Sequence, residues 1–152
     1  MSKGFLKKYL SDEQLRGIAL KIAEQERQTD GEIRVIVRHQ RHWNERRLSL
    51  HDVALKEFYK LGMHKTQNRT GVLIMLLFKE RKFQIIADEG IHSKVPDGTW
   101  DRIAGTLSSH FAKGNFFDGI CAAVDAVGSE LHKLFPHRSN DTNELSDDVE
   151  VR

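Results

Sequence analysis

Acidic side chains gather near the ends of predicted structural elements. Asp88 and Glu89 close a stretch of alternating apolar residues, and Asp97 stands where a helix is expected to begin. His39 follows the first predicted strand, residues 32–38. Ligands of open α/β sheets favour strand ends beside helix N-termini, and hard cations prefer carboxylate oxygens. We therefore expect Asp88, Glu89, Asp97 and His39 to share one end of a sheet.

Each of these residues also has a purely structural interpretation. Asp97 has the character of a helix N-cap, and Asp88, Glu89 and Gly90 have the composition of a turn. None of the eight histidines stands in an H-x-x-x-H or H-x-H pair, which favours solvated or capping roles for most of them. Both interpretations stay open at this level.

Basic residues precede the second predicted strand. His64, Lys65 and Arg69 lie in the segment "HKTQNRT". If this strand runs antiparallel to the first, it brings Arg69 and His64 to the end that carries Asp88 and Glu89. Arginine binds oxyanions through paired N–H donors, so His64, Lys65, Arg69 and the neighbouring Glu89 are candidates for an anion-binding site, for instance for phosphate.

A second basic segment surrounds an aromatic residue. Trp43 lies in a polar loop with Arg41, Arg46 and Arg47 around it. Such a grouping can contact phosphate or nucleic acid, although a solvated loop is the commoner meaning. The formal net charge of +2 is too small to predict a nucleic-acid partner by itself.

The composition excludes several classes of protein. The 152 residues match the size of one domain, and the single cysteine excludes an internal disulfide and a cysteine metal site. Motifs of P-loop enzymes, dinucleotide-binding folds, α/β-hydrolases and HExxH metalloproteases are missing from the sequence. The longest apolar run, residues 72–78, is far shorter than the ~18 residues of a membrane helix. We expect a soluble, cytoplasmic protein without a transmembrane segment.

The hydrophobic periodicity predicts seven elements in the order αβαββαα. Helices are expected over residues 11–29, 47–62, 96–114 and 116–136, and strands over residues 32–38, 72–78 and 83–88. A strand that is apolar on both faces must be covered on both sides. The predicted fold is therefore α/β, a three-layer αβα sandwich with a small mixed sheet. Residues 1–136 form a single domain, and the polar residues 137–152 form a disordered tail.

Four segments together resemble the TPM domain family. They are "TDGEIRVIV", "RTGVLIMLLFKERKFQIIADEGIHSKV", "WDRI" and "HFAKGNFFDGICAAVDAVGSEL", within about residues 10 to 135. The family is named for a thylakoid-lumen phosphatase, a photosystem II accessory protein and a modulator of a worm receptor. The resemblance implies an αβα sandwich, which agrees with the predicted element order.

The resemblance also implies a site of acidic residues. Some relatives bind calcium or another divalent cation through acids at one sheet end, and Glu32, Asp88 and Asp97 match such positions here. Arg69 stands where many relatives carry an acid. We therefore favour a module that binds a protein or a small anionic ligand, with a divalent calcium or magnesium site at one end of the sheet. The alternative, since some relatives are linked to acid phosphatase activity, is a metal-assisted phosphatase-like hydrolase.

Overall fold

The structure, a computed structural model, describes residues 4–66, 69–137 and 147–152. Its α-helices are α1 (Asp12–Glu26), α2 (Leu50–Lys60), α3 (Glu89–His92), α4 (Thr99–Ala112) and α5 (Phe116–Leu134). Its strands are β1 (Glu32–Arg38), β2 (Gly71–Leu77), β3 (Lys82–Ala87) and β4 (Glu150–Val151). Short 3-10 helices lie at Gly4–Lys8, Trp43–Glu45 and Met63–Lys65.

The described strands form one mixed sheet in the order β3-β2-β1-β4. β1 is parallel to β2 and to β4, while β2 and β3 form an antiparallel hairpin. One face of the sheet packs against α1, α4 and α5, and the other face packs against α2. The predicted three-layer sandwich with a mixed sheet is confirmed.

β2 is the centre of the core because its side chains are buried on both faces. Val72, Ile74 and Leu76 face the layer of α1, α4 and α5, whereas Leu73 and Met75 face α2. A continuous apolar run is the pattern expected of a strand covered on both sides. The hydrophobic effect therefore fixes the position of β2, and the ends of its neighbours are positioned relative to it.

The predicted helix starts are partly corrected. Ser11 caps α1 in a reciprocal capping box with Gln14, as the sequence indicates. The third predicted helix begins later than expected, at Thr99, and its N-cap is Gly98 with a φ of 83°. A left-handed φ suits glycine, so the chain turns into α4 at Gly98 and Asp97 is not the cap.

Two arginines lie inside the buried strand β1. Arg38 is 1% exposed, and its Nη2 donates to Glu45 Oε1 at 2.5 Å while Nη1 lies 3.6 Å from Glu57 Oε2. Burial by itself would raise the pKa of Glu45, but hydrogen bonds from Arg38, Lys56 and the His42 amide outweigh it and lower the pKa to about 2. Ion pairs thus fasten α2 and the loop after β1 to the sheet.

We expect Arg38→Ala to destabilise the protein strongly, because it leaves the carboxylates of Glu45 and Glu57 buried without their central cation. Breaking a buried ion pair on one side costs about 3–5 kcal/mol, measured here as the loss in free energy of unfolding in urea. The control is Arg16→Ala, since Arg16 is exposed on α1 and its loss should change stability by less than about 0.5 kcal/mol. Equal losses for the two variants would contradict this role of Arg38.

The tail departs from the expectation of a structureless segment. Residues 138–146 lie outside the described residues, but Glu150–Val151 pairs with Ile36 and Val37 of β1. The Arg152 amide also donates to the Val37 carbonyl at 2.9 Å. The prediction of a disordered tail is wrong for this strand. A strand of two residues is too short for its apolar alternation to be recognised from sequence.

Candidate functional site

Arg69 and Asp88 meet at one end of the sheet. Arg69 precedes β2 and Asp88 follows β3, and the antiparallel register places Val72 opposite Ala87. The sequence expectation required strand 2 to run antiparallel to strand 1, whereas β1 and β2 are parallel. The residues still meet because β3 reverses direction. The site therefore lies at the amino ends of β1 and β2, not at their carboxyl ends.

A bidentate ion pair joins these two residues. Arg69 Nε donates to Asp88 Oδ2 at 3.0 Å, and Arg69 Nη2 donates to Asp88 Oδ1 at 3.1 Å. The hydrogen bonds and the charge of Asp88 raise the pKa of the Arg69 guanidinium. Asp88 is buried, and its Oδ1 also accepts from the Glu89 amide at 2.7 Å, which caps α3. One carboxylate therefore both caps α3 and binds the Arg69 guanidinium.

The backbone fixes this geometry from both sides. The Gly90 amide donates to the Arg69 carbonyl, and the Asp88 amide donates to the Gly71 carbonyl, both at 2.9 Å. Arg69 itself has a φ of 56°, an uncommon left-handed conformation for an arginine. Strained backbone persists where its surroundings hold it, and it is frequent at functional sites.

A pocket of about 520 Å³ lies beside the pair. Its apolar wall comes from α2 and β3, through Leu55, Phe58, Ile86 and Ala87. Its polar rim consists of His51, Tyr59, Arg69, Asp88, Glu89, His92 and Ser93. Asp88, Glu89 and Arg69 are thus brought together as expected, and they line a cavity with an apolar floor.

Sequence reasoning missed His51, Tyr59 and His92. His51 and Leu55 are four residues apart on α2, so they share one helical face. The spacing indicates a shared helical face, but it does not indicate that this face packs beside the end of β3. His92 belongs to α3, a short helix that hydrophobic periodicity does not reveal. The packing of α2 against the sheet brings His51 and Tyr59 to the pocket, and the hairpin register brings α3 with His92 there.

The other predicted anion-binding residues lie outside this cavity lining. The ring of His64 lies 4.8 Å from the ring of Tyr59, so it stands behind one wall of the pocket. Lys65 is exposed in the neighbouring 3-10 helix. Lys65 is therefore close to the site in sequence, while His64 is related to it through Tyr59.

His39 and Trp43 belong to the opposite end of the sheet. His39 follows the carboxyl end of β1 and stacks on Phe5 with ring centroids 5.0 Å apart. β1 has seven residues, so about 20 Å separate its two ends. The expectation that His39 joins Asp88 is wrong because Asp88 lies at the amino end of β1. Trp43, 81% exposed, cannot contribute to the same cleft either.

The basic loop around Trp43 is partly neutralised. Arg41 donates from Nε and Nη2 to Glu80 at 2.9 Å and 2.6 Å, and Glu80 also accepts from the Arg41 amide at 2.7 Å. Arg46 and Arg47 remain exposed. The guanidinium of Arg41 therefore positions the loop against the hairpin, and its Nη1 donates to the Leu48 carbonyl at 3.2 Å, which leaves little of it for a phosphate.

The three predicted metal ligands are dispersed. Glu32 lies on β1, two strands from Asp88, or about 10 Å at ordinary strand spacing. Asp97 is exposed in the loop before α4, and both Asp88 oxygens accept hydrogen bonds from Arg69. Among the described residues, no group of three or more His, Cys, Asp or Glu side chains is arranged to hold a metal. The arrangement as it stands does not fit a divalent cation, and the metal site stays a prediction.

Glu32 belongs instead to a buried group of acids. Its neighbour Glu26 ends α1, and Glu26 Oε2 accepts a hydrogen bond from the Ile33 amide at 2.7 Å. Burial, a hydrogen bond with Asp147 and the proximity of Glu32 raise the pKa of Glu26 far above its ordinary value. Carboxyl groups this close cannot all ionise, so Glu26 holds a proton in the folded protein.

This proton gives a pH dependence of stability with a definite sign. The unfolded chain loses the Glu26 proton near its ordinary pKa of 4.5, while the folded chain retains it. The contribution of the Glu26 proton to the free energy of unfolding is therefore complete below pH 4.5. It decreases as pH rises, by at most about 1.4 kcal/mol per pH unit for one proton. Glu26→Gln keeps the shape and cannot ionise. We expect it to become more stable relative to wild type as urea unfolding is repeated from pH 5 to pH 8. If the free energies of unfolding of the two proteins change with pH in the same way, Glu26 does not retain a proton in the folded protein.

The comparisons with known proteins identify the family of this chain. A family model described as the TPM domain matches residues 6–130, and the chain therefore belongs to that family. Within the described residues, no helix is long and apolar enough to cross a membrane. No curated protein matches the chain.

Solved structures share the fold over most of their length. The BA42 protein of the psychrophilic bacterium Bizionia argentinensis is 30% identical with a TM-score of 0.85, covering 95% of this chain and 96% of that one. The N-terminal domain of a P. gingivalis protein is 24% identical with a TM-score of 0.69, over 87% and 83% of the two chains. A Corynebacterium glutamicum N-terminal domain is 13% identical with a TM-score of 0.60, over 80% and 74%.

Proposed function

We propose that this protein is a binding module for an organic anion, with Arg69 as the anion-binding group and the pocket beside it as the site for the apolar part of the ligand. The observation that carries the proposal is the bidentate Arg69–Asp88 pair at the edge of an apolar pocket. The ligand class is a phosphate monoester or carboxylate attached to a flat apolar group.

The ion pair preorganises the guanidinium. Asp88 holds Arg69 through Nε and Nη2, yet the Arg69 side chain remains 43% exposed and lines the pocket. Holding a donor in place before binding reduces the entropy that association must overcome. The planar fork of arginine suits the paired oxygens of phosphate and carboxylate groups. His51 and His92 add further polar groups to the same rim.

The apolar wall supports the second half of the ligand. Leu55, Phe58 and Ile86 line the pocket, and the half-exposed ring of Tyr59 stands at its rim. Ligand pockets are typically apolar cavities with few polar groups that fix orientation. An aromatic or aliphatic group would cover this wall while its anionic end contacts Arg69. Inorganic phosphate alone would use only half of the site.

Binding explains the contacts better than hydrolysis does. Metal-assisted hydrolysis of phosphate needs a cation held by several oxygens, and the buried Asp88 carboxylate is occupied by Arg69 and the Glu89 amide. Glu89 itself is exposed, with its Oε1 4.0 Å from Arg69 Nη2. These contacts favour an anion beside Arg69 over a cation beside Asp88.

We expect phenyl phosphate to bind more tightly than inorganic phosphate, and Arg69→Gln to weaken both by about tenfold, since a charge-assisted hydrogen bond contributes about 1.5–3 kcal/mol. The measurement is a titration followed by the amide NMR signals of Asp88, Glu89 and His92. Glu89→Gln should strengthen binding, because it removes a negative charge close to Arg69. The matched control is Arg102→Gln, which removes an exposed arginine on α4. Equal affinities for Arg69→Gln and Arg102→Gln would exclude Arg69 as the anion-binding group.

A divalent cation should compete with Arg69 for Asp88. We expect Arg69→Asp to bind calcium or magnesium more tightly than wild type, because it releases the Asp88 carboxylate and adds a second one beside it. Aspartate also tolerates the left-handed backbone at this position. A titration observed at Glu32, Asp88 and Asp97 measures both affinities and tests the predicted metal set directly. If wild type binds the cation as tightly as Arg69→Asp, the ion pair does not prevent cation binding.

A further inference from the structure

The outer edge of β1 is only partly covered. β1 pairs with β2 along all seven of its residues, but among the described residues it pairs with β4 at two positions, Ile36 and Val37. Near the start of this edge, the Glu26 carboxyl group takes the Ile33 amide hydrogen bond at 2.7 Å. A strand edge offers backbone donors and acceptors to any extended segment that fits beside it.

The side chains of residues 149–152 contact the two faces of the sheet alternately. Val149 and Val151 pack against the apolar cluster on the α1 face. Glu150 Oε1 lies 3.3 Å from Arg34 Nη2, and Arg152 Nε lies 3.3 Å from Glu57 Oε1 on the α2 face. We call the surface beside the outer edge of β1, between α1 and α2, the groove. Its contacts favour a segment that runs parallel to β1 and has apolar, acidic, apolar and basic residues in that order.

Among the residues that the structure describes, the apolar side of this edge stays open beside residues 149–152. A cavity of about 900 Å³ lies against Val149 and Val151. Leu6, Leu10, Leu15 and Leu20 line it, and Leu20 is 71% exposed. Larger apolar side chains at the two valine positions would cover this surface and remove apolar area from water. Among the described residues, the edge therefore has room for a strand with larger apolar side chains than Val149 and Val151.

The hold on the segment extends over residues 149–152. Besides the packing of the two valines and the Arg152 amide hydrogen bond, it includes two strand pairs and ion pairs in which Glu150 and Arg152 keep 34% and 24% of their side chains exposed. A strand that makes the same pairs and covers more apolar surface would bind the edge more tightly. A competing strand with better apolar contacts can therefore displace residues 149–152.

We propose that the β1 edge is a docking site for an extended segment of a partner protein, which binds parallel to β1 and carries an apolar, acidic, apolar, basic order with side chains larger than valine. Residues 149–152 occupy the edge in the partner's absence. Addition of a strand to an exposed sheet edge is an established mode of peptide recognition, in which the backbone provides affinity and alternate side chains provide specificity.

The test uses two peptides and one double variant of the full chain. The peptides are Asp-Asp-Leu-Glu-Leu-Arg and its charge-swapped control Asp-Asp-Leu-Arg-Leu-Glu. The variant combines Glu150→Arg with Arg152→Glu, which sets the chain's own segment against Arg34 and Glu57 and leaves β1 unchanged. Binding is followed by the amide NMR signals of Val35 and Val37.

We expect the first peptide to bind the double variant about tenfold more tightly than wild type, because a tethered competitor acts at a millimolar effective concentration. The charge-swapped peptide should bind at least about tenfold more weakly, since both of its charges face like charges. A reciprocal variant, Val149→Leu with Val151→Leu, fills the groove from within and should bind the first peptide more weakly than wild type.

Three results would overturn the proposal. One is failure of the first peptide to shift Val35 and Val37 in either wild type or the double variant at millimolar concentration. The second is equal affinity for the two peptides. The third is a concentration-dependent dimer of wild type, seen by sedimentation, that the peptide does not dissociate; this would assign the edge to a second copy of the chain.

Discussion

The arrangement of this domain depends on the carboxylates that pair with two arginines in a buried strand. Arg34 and Arg38 lie on the same face of β1, and each needs a carboxylate because a buried charge without a partner is costly. Glu45 and Glu57 bring the loop after β1 and helix α2 to Arg38, and Glu150 brings β4 to Arg34. The opposite face of the sheet is an ordinary apolar core. These ion pairs and the apolar cluster around Ile36 and Phe58 together position α2, and α2 in turn provides one wall of the candidate pocket.

The Arg69–Asp88 pair decides what chemistry that pocket can support. A carboxylate that accepts two hydrogen bonds from a guanidinium and one from a backbone amide is a poor ligand for a cation, because binding the cation would leave the guanidinium without its partner. In the function proposed above, the same pair holds the guanidinium in position for an anion. On that proposal, the exchange of an acid for arginine at this position would be sufficient to change the preference of the site from cations to anions.

The sequence predicts the layers of the fold well because apolar periodicity reports burial directly. The continuous run of β2 and the capping box at Ser11 are local signals, and both are found in the structure. The site is predicted only in part. Asp88 and Arg69 were recognised, but their contact arises from a parallel β1–β2 pair and a reversed β3, which no local pattern specifies. The same topology separates His39 from Asp88.

The central claim is that the Arg69 guanidinium contacts the bound anion, and the NMR signals of its Nη1 and Nη2 N–H groups test that claim most directly, because they include the donors that Asp88 does not take. During a titration with phenyl phosphate, contact with the ligand should shift these signals in proportion to saturation of the pocket amides, with the Asp88 ion pair retained. A shift of the pocket amides without any change at the Arg69 Nη groups would contradict the account, because the anion would then be held by other groups.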